Sequence, residues 1–263
     1  MTAETDIDKL IYKYFAPAED RVSQAMKYCL DSGGKRVRPS LLLETARSLG
    51  CVDDNICRLA VALECIHTYS LVHDDLPCMD NDDFRRGKPS CHRQFDEATA
   101  VLCGDALLNL AMEIVSGGTS GENYLKCVNA MFSNSGFKGM IRGQILDLAG
   151  SDSFEGLKEI AVNKTAKMIV SAISIPAIYM GLPQYRIEVF GQIGTNLGVA
   201  YQVADDLLDE QSGENSFVTV IGKECSAELI RQLTGKTVEC LRKLPYDLSH
   251  IEKLALFNLR RQF

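Results

Sequence analysis

The chain has 263 residues, 46% of them hydrophobic, enough to bury a sizeable core and to exclude disorder, a peptide hormone or a fibrous repeat. Its 28 Lys and Arg against 35 Asp and Glu give a net charge of −7. That balance argues against a nucleic-acid partner and against a polybasic membrane-surface protein, both of which need clustered cations. Ten cysteines show no C-x-x-C pair and no metal-finger spacing. Most lie in apolar runs, as small buried thiols do in a reducing, cytoplasmic compartment. The first ten residues are acidic and carry no apolar stretch, so no signal peptide is expected. The apolar stretch 168–182, broken by Ser171, Ser174 and Pro176, is too short to span a bilayer.

Periodicity near 3.6 runs along almost the whole chain, and sustained alternation with period 2 is nearly absent. It predicts helices over residues 7–30, 39–49, 55–73, 95–115, 124–148, 154–180, 185–209, 226–243 and 249–261. Pro39 and Pro183 stand where a helix start tolerates proline, and Gly33, Gly34, Gly50, Gly117, Gly118 and Gly181 punctuate helix ends. No Pro/Ser-rich linker, composition shift or internal repeat divides the sequence. The expectation is an all-α chain forming one domain over residues 1–263.

Several polar groups break this pattern. Residues 33–39, Gly-Gly-Lys-Arg-Val-Arg-Pro, place a glycine turn and three cations at a helix start, where backbone N–H groups and positive potential suit a phosphate. The Walker A spacing is absent. In the next helix His67, Ser70 and Asp74 share one face, which runs into five carboxylates within ten residues: Asp74, Asp75, Asp80, Asp82 and Asp83. Pro77 should end the helix after Asp75 and let Asp80 swing back; Arg85, Arg86 and Lys88 follow. Lys164 and Thr165 lie on a later helix, with Lys167 a turn further. Finally Gln202, Asp205, Asp206 and Asp209, at i, i+3, i+4 and i+7, put three carboxylates on one face with no cation at helical spacing.

Any one of these groups alone passes for solvated surface. Together, two acidic stripes facing each other can hold several Mg²⁺ ions through oxygen ligands, and Mg²⁺ held by few carboxylates is the usual partner of a diphosphate. An EF-hand loop is absent, and His67, His73 and His92 lack the thiolate spacing of a zinc site.

The run Asp74-Asp75-Leu76-Pro77-Cys78-Met79-Asp80, followed by Arg85-Arg86-Gly87-Lys88-Pro89, resembles the first aspartate-rich motif of the trans-isoprenyl diphosphate synthases. Residues 201–209, Tyr-Gln-Val-Ala-Asp-Asp-Leu-Leu-Asp, resemble the second. Residues 33–39, Gly104-Asp105-Ala106-Leu107, Gly143-Gln144-x-x-Asp147 and Lys164-Thr165 match in the expected order, and the similarity extends over residues 7–262. The long first motif, with four residues before its last aspartate, is similar to bacterial farnesyl and plant-type geranylgeranyl diphosphate synthases.

The resemblance implies the isoprenoid synthase fold, an antiparallel helical bundle around a central cavity, usually a homodimer. It implies that Asp74, Asp75 and Asp80, with Asp205 and Asp209, bind Mg²⁺, three ions once diphosphate is present. It gives Arg85, Lys164, Thr165 and Gln202 the allylic diphosphate, and Gly34, Lys35, Arg38, His67 and Arg86 isopentenyl diphosphate. Ionisation of the allylic diphosphate, attack by the isopentenyl double bond and loss of a proton to the departing diphosphate would follow. Tyr69 is five residues before Asp74, about 7.5 Å lower along a helix, where an aromatic accompanies farnesyl products. Ser70 beside it leaves room for geranylgeranyl as the alternative product. A cyclase would lack Lys35 and Arg38, a non-catalytic regulatory subunit would have lost an aspartate motif, and a helical Ca²⁺ module would bind no diphosphate.

One departure stands out. The family carries a longer, two-lysine loop after the second motif, whereas residues 210–216 here lead almost at once to Phe217. Either the loop is absent, which would weaken diphosphate binding and could signal a regulatory subunit, or a flexible lid between Asp209 and Phe217 is missing from the chain as written, which the intact remaining motifs favour.

Overall fold

A computed structural model describes residues 7–119, 121–208 and 216–260. Asp209 and the shortened loop over 209–215 lie outside the described residues. The fold is all-α, with one two-stranded hairpin among the described residues. The chain divides into two compact units, residues 1–40 with 52–119, and residues 41–51 with 120–263.

In the first unit, α1 (Ile7–Tyr14) and α2 (Arg21–Asp31) replace the single helix expected over 7–30. Pro17 cannot donate to a helical ladder, and Asp20 caps the restart by accepting from the Ser23 N–H at 2.9 Å. The chain leaves this unit within α3 (Val37–Leu49) and re-enters it before α4 (Asp54–Asp74). Asp53 caps α4 through the Ile56 N–H. The helix is apolar on nearly every side, and Leu59 to Ile66 are all buried. It ends at Asp74, one residue past the expected 73 and one short of the limit that Pro77 sets after Asp75, and the Asp80 N–H then returns to the Asp74 carbonyl at 2.9 Å.

Next come β1 (Phe84–Arg85) and β2 (Lys88–Pro89), paired antiparallel, with Arg85 opposite Lys88. Their two-residue turn has positive φ at both Arg86 (55°) and Gly87 (76°), the backbone signature of a type I′ hairpin. A one-turn α5 (Cys91–Gln94) and α6 (Glu97–Ser116), capped by Asp96, complete the unit. By length and composition α6 could cross a membrane, but half of its apolar window is buried, and residues including Leu107, Ala111 and Ile114 pack inside the unit.

In the second unit, the helix expected over 124–148 is two, α7 (Glu122–Ser135) and α8 (Met140–Ala149), parted at Gly136 and Gly139. Then α9 (Phe154–Ile160), capped by Ser153, runs into a π-helical segment (Ala161–Ala166) and on into α10 (Lys167–Tyr179). The long α11 (Gln184–Leu208) carries the second acidic stripe. A short α12 (Phe217–Ile221), set by a Ser216–Thr219 capping box and not expected from periodicity, precedes α13 (Lys223–Leu241) and α14 (Ser249–Arg260). Leu157, Ile160, Ala166, Val203, Phe217 and Ile230 form one core cluster beneath the polar face of α11.

Candidate active site

The first unit gathers a cationic and an acidic group at one end of α4. Gly34 has φ of +120°, and a Cβ there would meet the Arg86 guanidinium at 2.5 Å. Only glycine admits that approach. Arg86 also donates to the Gly33 carbonyl, which holds a non-glycine residue at positive φ. Arg38 Nη1 lies 3.1 Å from His67 Nε2, and Lys35 is exposed at the rim of the same turn. An arginine can only donate, so His67 Nε2 accepts and the ring is neutral. Burial, reinforced by the charges of Arg38, Arg86, Arg36 and Arg85, holds this imidazole well below its usual value.

That depression has a measurable consequence. Unfolded His67 takes up a proton below pH ~6.5, and the folded form takes it up only at lower pH. The unfolded state therefore binds more protons in that window, and stability falls as pH drops below it. His250, also depressed by burial, acts in the same direction. The urea midpoint should fall between pH 7 and 5, and less steeply in His67→Gln. Equal slopes in the two proteins would mean that His67 titrates normally.

Asp74 and Asp75 close α4 at its C-terminal end, where the helix dipole is negative and anions are unfavourable without a cation. Asp75 is 3% exposed and is met by Arg85, whose Nε lies 2.9 Å from Oδ1, while Arg85 Nη2 also reaches Asp82 at 3.0 Å. Burial raises the Asp75 carboxyl against the pull of Arg85. Asp74 is half-buried and Asp80 exposed, each with an oxygen-bearing side chain at the turn that folds 80 back on 74. Asp74, Asp75 and Asp80 do not bring their oxygens within 4.8 Å of one another, and Asp75 is turned to Arg85, but their all-oxygen chemistry is the kind that suits a hard divalent cation such as Mg²⁺. Tyr69 is buried one turn below and meets His73 edge-on at 5.9 Å between centroids. Ser70 donates back to the His67 carbonyl at 2.9 Å.

The second unit holds the other expected residues. Lys164 and Thr165 project from the π-helical segment, a rare conformation that concentrates at functional sites. A Cβ on Gly143 of α8 would lie 2.1 Å from the Lys164 backbone nitrogen, so the two backbones pack in direct contact. Lys164 Nζ meets Asp147 at 2.5 Å. Thr165 Oγ1 donates to Gln202 Oε1 at 2.8 Å, and Gln202 Nε2 donates to Asp206 at 3.1 Å. The other Asp206 oxygen accepts from the Phe217 N–H at 2.8 Å. Asp206 thus anchors α12, leaving the half-buried Asp205 as the metal-ligand candidate described on this stripe.

Two roles were not legible from residue spacing. Asp147 is the partner that aims Lys164, hinted at only by its place four residues after Gly143. Arg36, one of the three cations in the glycine turn, is directed to Glu64 at 2.7 Å instead of towards a ligand.

A family model for polyprenyl synthetases matches residues 19–233. A farnesyl diphosphate synthase of Micrococcus luteus is 38% identical over 273 aligned positions, covering 97% of this chain and 94% of that protein. The apo crystal structure of an FPP/GFPP synthase from Zymomonas mobilis aligns with a TM-score of 0.89 at 34% identity, over 96% of this chain and 94% of the other. A geranyltransferase from Helicobacter pylori, solved with magnesium and isoprenyl diphosphate, aligns with a TM-score of 0.83 at 29% identity, over 97% and 93%.

Proposed function

The chain belongs to the polyprenyl synthetase family, and from that membership we propose that it is a prenyltransferase making farnesyl diphosphate. It joins isopentenyl diphosphate head to tail to dimethylallyl diphosphate and then to geranyl diphosphate. The observation that carries this reading is the pairing of chemistries at one end of α4. A carboxylate set suited to Mg²⁺ and a cationic turn suited to a diphosphate occur on the same helix and its flanking segments. The two compact units are read as one polyprenyl synthetase domain.

Asp74, Asp75 and Asp80, with Asp205 and Asp209, would hold the Mg²⁺ ions, three when diphosphate is bound. Mg²⁺ supplies neutralisation of the charge that grows on the leaving diphosphate. Arg85, Lys164, Thr165 and Gln202 orient that allylic diphosphate, Arg85 being held ready by Asp75 and Asp82, and Lys164 by Asp147. Lys35, Arg38, His67 and Arg86 bind isopentenyl diphosphate beside the backbone of Gly34. A neutral His67 gives this pocket an acceptor for Arg38 without adding a fourth charge. Apolar side chains such as Val72 and Tyr69 shield the allylic cation from water until the isopentenyl double bond attacks. As the family resemblance implies, the departing diphosphate takes the proton, and no dedicated base is assigned among the described residues.

The chain works in the cytoplasm as a homodimer, a reading supported by ten free cysteines and by exposed Val101, Leu102 and Met112 on α6. Sedimentation at micromolar concentration checks the second point.

Incubation of the purified chain with isopentenyl and dimethylallyl diphosphates and Mg²⁺ tests the assignment. A fifteen-carbon product, abolished by EDTA, is expected. A twenty-carbon product would move the assignment to geranylgeranyl diphosphate, and no elongation at all would favour a non-catalytic subunit. Tyr69→Ala should then lengthen the product, because removing the ring opens the pocket about 7.5 Å below Asp74. A mutant that still stops at fifteen carbons would show that Tyr69 is not the floor.

A further inference from the structure

We propose that Cys29, Cys91 and Cys103 form a buried three-thiolate site for a thiophilic d10 cation, either monovalent copper or divalent zinc. Cys29 comes from α2, Cys91 from α5 and Cys103 from α6, and their sulfurs all lie within 4.8 Å of one another. They are 7%, 3% and 0% exposed. Spacings of 62 and 12 residues match no metal-finger pattern, so only the folding of the first unit brings these thiols together. Around a metal–sulfur bond of about 2.3 Å, sulfurs sit roughly 3.8 Å apart, so each pair needs to close by at most about 1 Å. Side-chain rotation suffices for that.

The trio is chemically prepared for a soft ion. Hydrogen bonds from the sulfhydryls of Cys103 and Cys29 pull the Cys91 thiol down, making it the first of the three to ionise. No carboxylate or imidazole ligand atom joins the three sulfurs among the described residues, a donor set that selects soft over hard cations. A cavity of about 30 Å³ beside the trio, lined by Cys29 and Cys91 but not by Cys103, together with Thr68, Asp75 and Arg85, has room for a water. Loading breaks the S–H bonds of Cys29, Cys91 and Cys103, and the three protons leave to solvent. Copper would be held by three sulfurs alone, and zinc by three sulfurs and that water. The ion would tie α2 and α6 to α5, directly after the Arg85–Arg86 hairpin, and this inference does not depend on the prenyl-transfer reading.

The test is anaerobic titration of the reduced full chain with monovalent copper and, separately, with zinc, using cadmium as the charge-transfer probe. X-ray absorption then counts the metal's neighbours. One ion per chain with three sulfurs at about 2.3 Å is expected, joined by one oxygen in the zinc arm only. Cys29→Ser, Cys91→Ser and Cys103→Ser should each weaken binding at least tenfold, while Cys78→Ser and Cys225→Ser, at exposed thiols, should not. Fewer than three sulfur neighbours, affinity unchanged in all three buried-site variants, or failure to bind either ion would overturn the proposal. The wild-type neighbour count decides the matter even where a serine variant fails to fold.

Discussion

Asp74→Asn is expected to lower kcat by roughly a thousandfold while leaving the folded chain as stable as before or slightly more so. Asparagine keeps the size and a carbonyl oxygen but removes one of three clustered charges. Those charges sit at the negative end of the α4 dipole, where in the absence of Mg²⁺ they repel one another and the helix carbonyls. Losing one relieves the apo protein, by a few tenths of a kcal/mol for a half-exposed site. In the transition state the same charge helps to hold the cations that neutralise the leaving diphosphate, and a thousandfold loss corresponds to ~4 kcal/mol. The Mg²⁺ concentration needed for half-maximal rate should rise alongside. Asp75→Asn is the instructive contrast. Asp75 is buried against Arg85, so its loss leaves the partly buried guanidinium with Asp82 as its remaining carboxylate and lowers stability as well as rate. Steady-state kinetics over a Mg²⁺ series, with thermal unfolding of the apo proteins, checks both. An Asp74→Asn enzyme within tenfold of wild type at saturating Mg²⁺ would remove Asp74 from the metal site.

What the sequence shows of this site is what lies along one helix, and what it hides is what crosses between elements. The extent of α4 and α11, the stop before Pro77 and the return of Asp80 follow from local backbone rules and helical spacing, and all appear in the structure. The break between α1 and α2 was masked by an apolar period that continues past Pro17; the Asp20 cap decided it. The type I′ hairpin was masked because Arg86, an unusual residue at positive φ, occupies the position where asparagine or glycine would have announced it. Its strain is balanced by contacts with Gly33 and Gly34, more than fifty residues earlier. The π-helical segment is likewise non-local, since the backbone of Gly143 packs against the register that exposes Lys164 and Thr165. No window of sequence holds both partners. The same holds for the three thiols.

Arg36→Met should cost about 3–5 kcal/mol of stability, the largest effect expected of any single change outside the metal ligands. The reason is Glu64, which lies in the apolar body of α4, 2% exposed, with Arg36 Nη1 at 2.7 Å. The Arg36 side chain is itself only 11% exposed, and it also donates to the Leu30 carbonyl and reaches Asp8 at 3.0 Å. Removing the guanidinium leaves a buried carboxylate with its partner gone, and for a chain of this length the loss shifts Tm by roughly 10 °C. Methionine inherits the same positive φ of 44°, so backbone strain largely cancels in the comparison. Glu64→Leu on top of Arg36→Met should recover most of the stability, because the charge that needed a partner is then gone. Arg36 stands between Lys35 and Arg38, both assigned to isopentenyl diphosphate, and so the pair of variants also separates fold from ligand. The double variant, once folded, should keep the KM for isopentenyl diphosphate within about threefold of wild type, whereas Arg38→Met should raise it well beyond that while changing Tm little. A double variant that regains stability but loses the KM would show that Arg36 reaches the diphosphate after all.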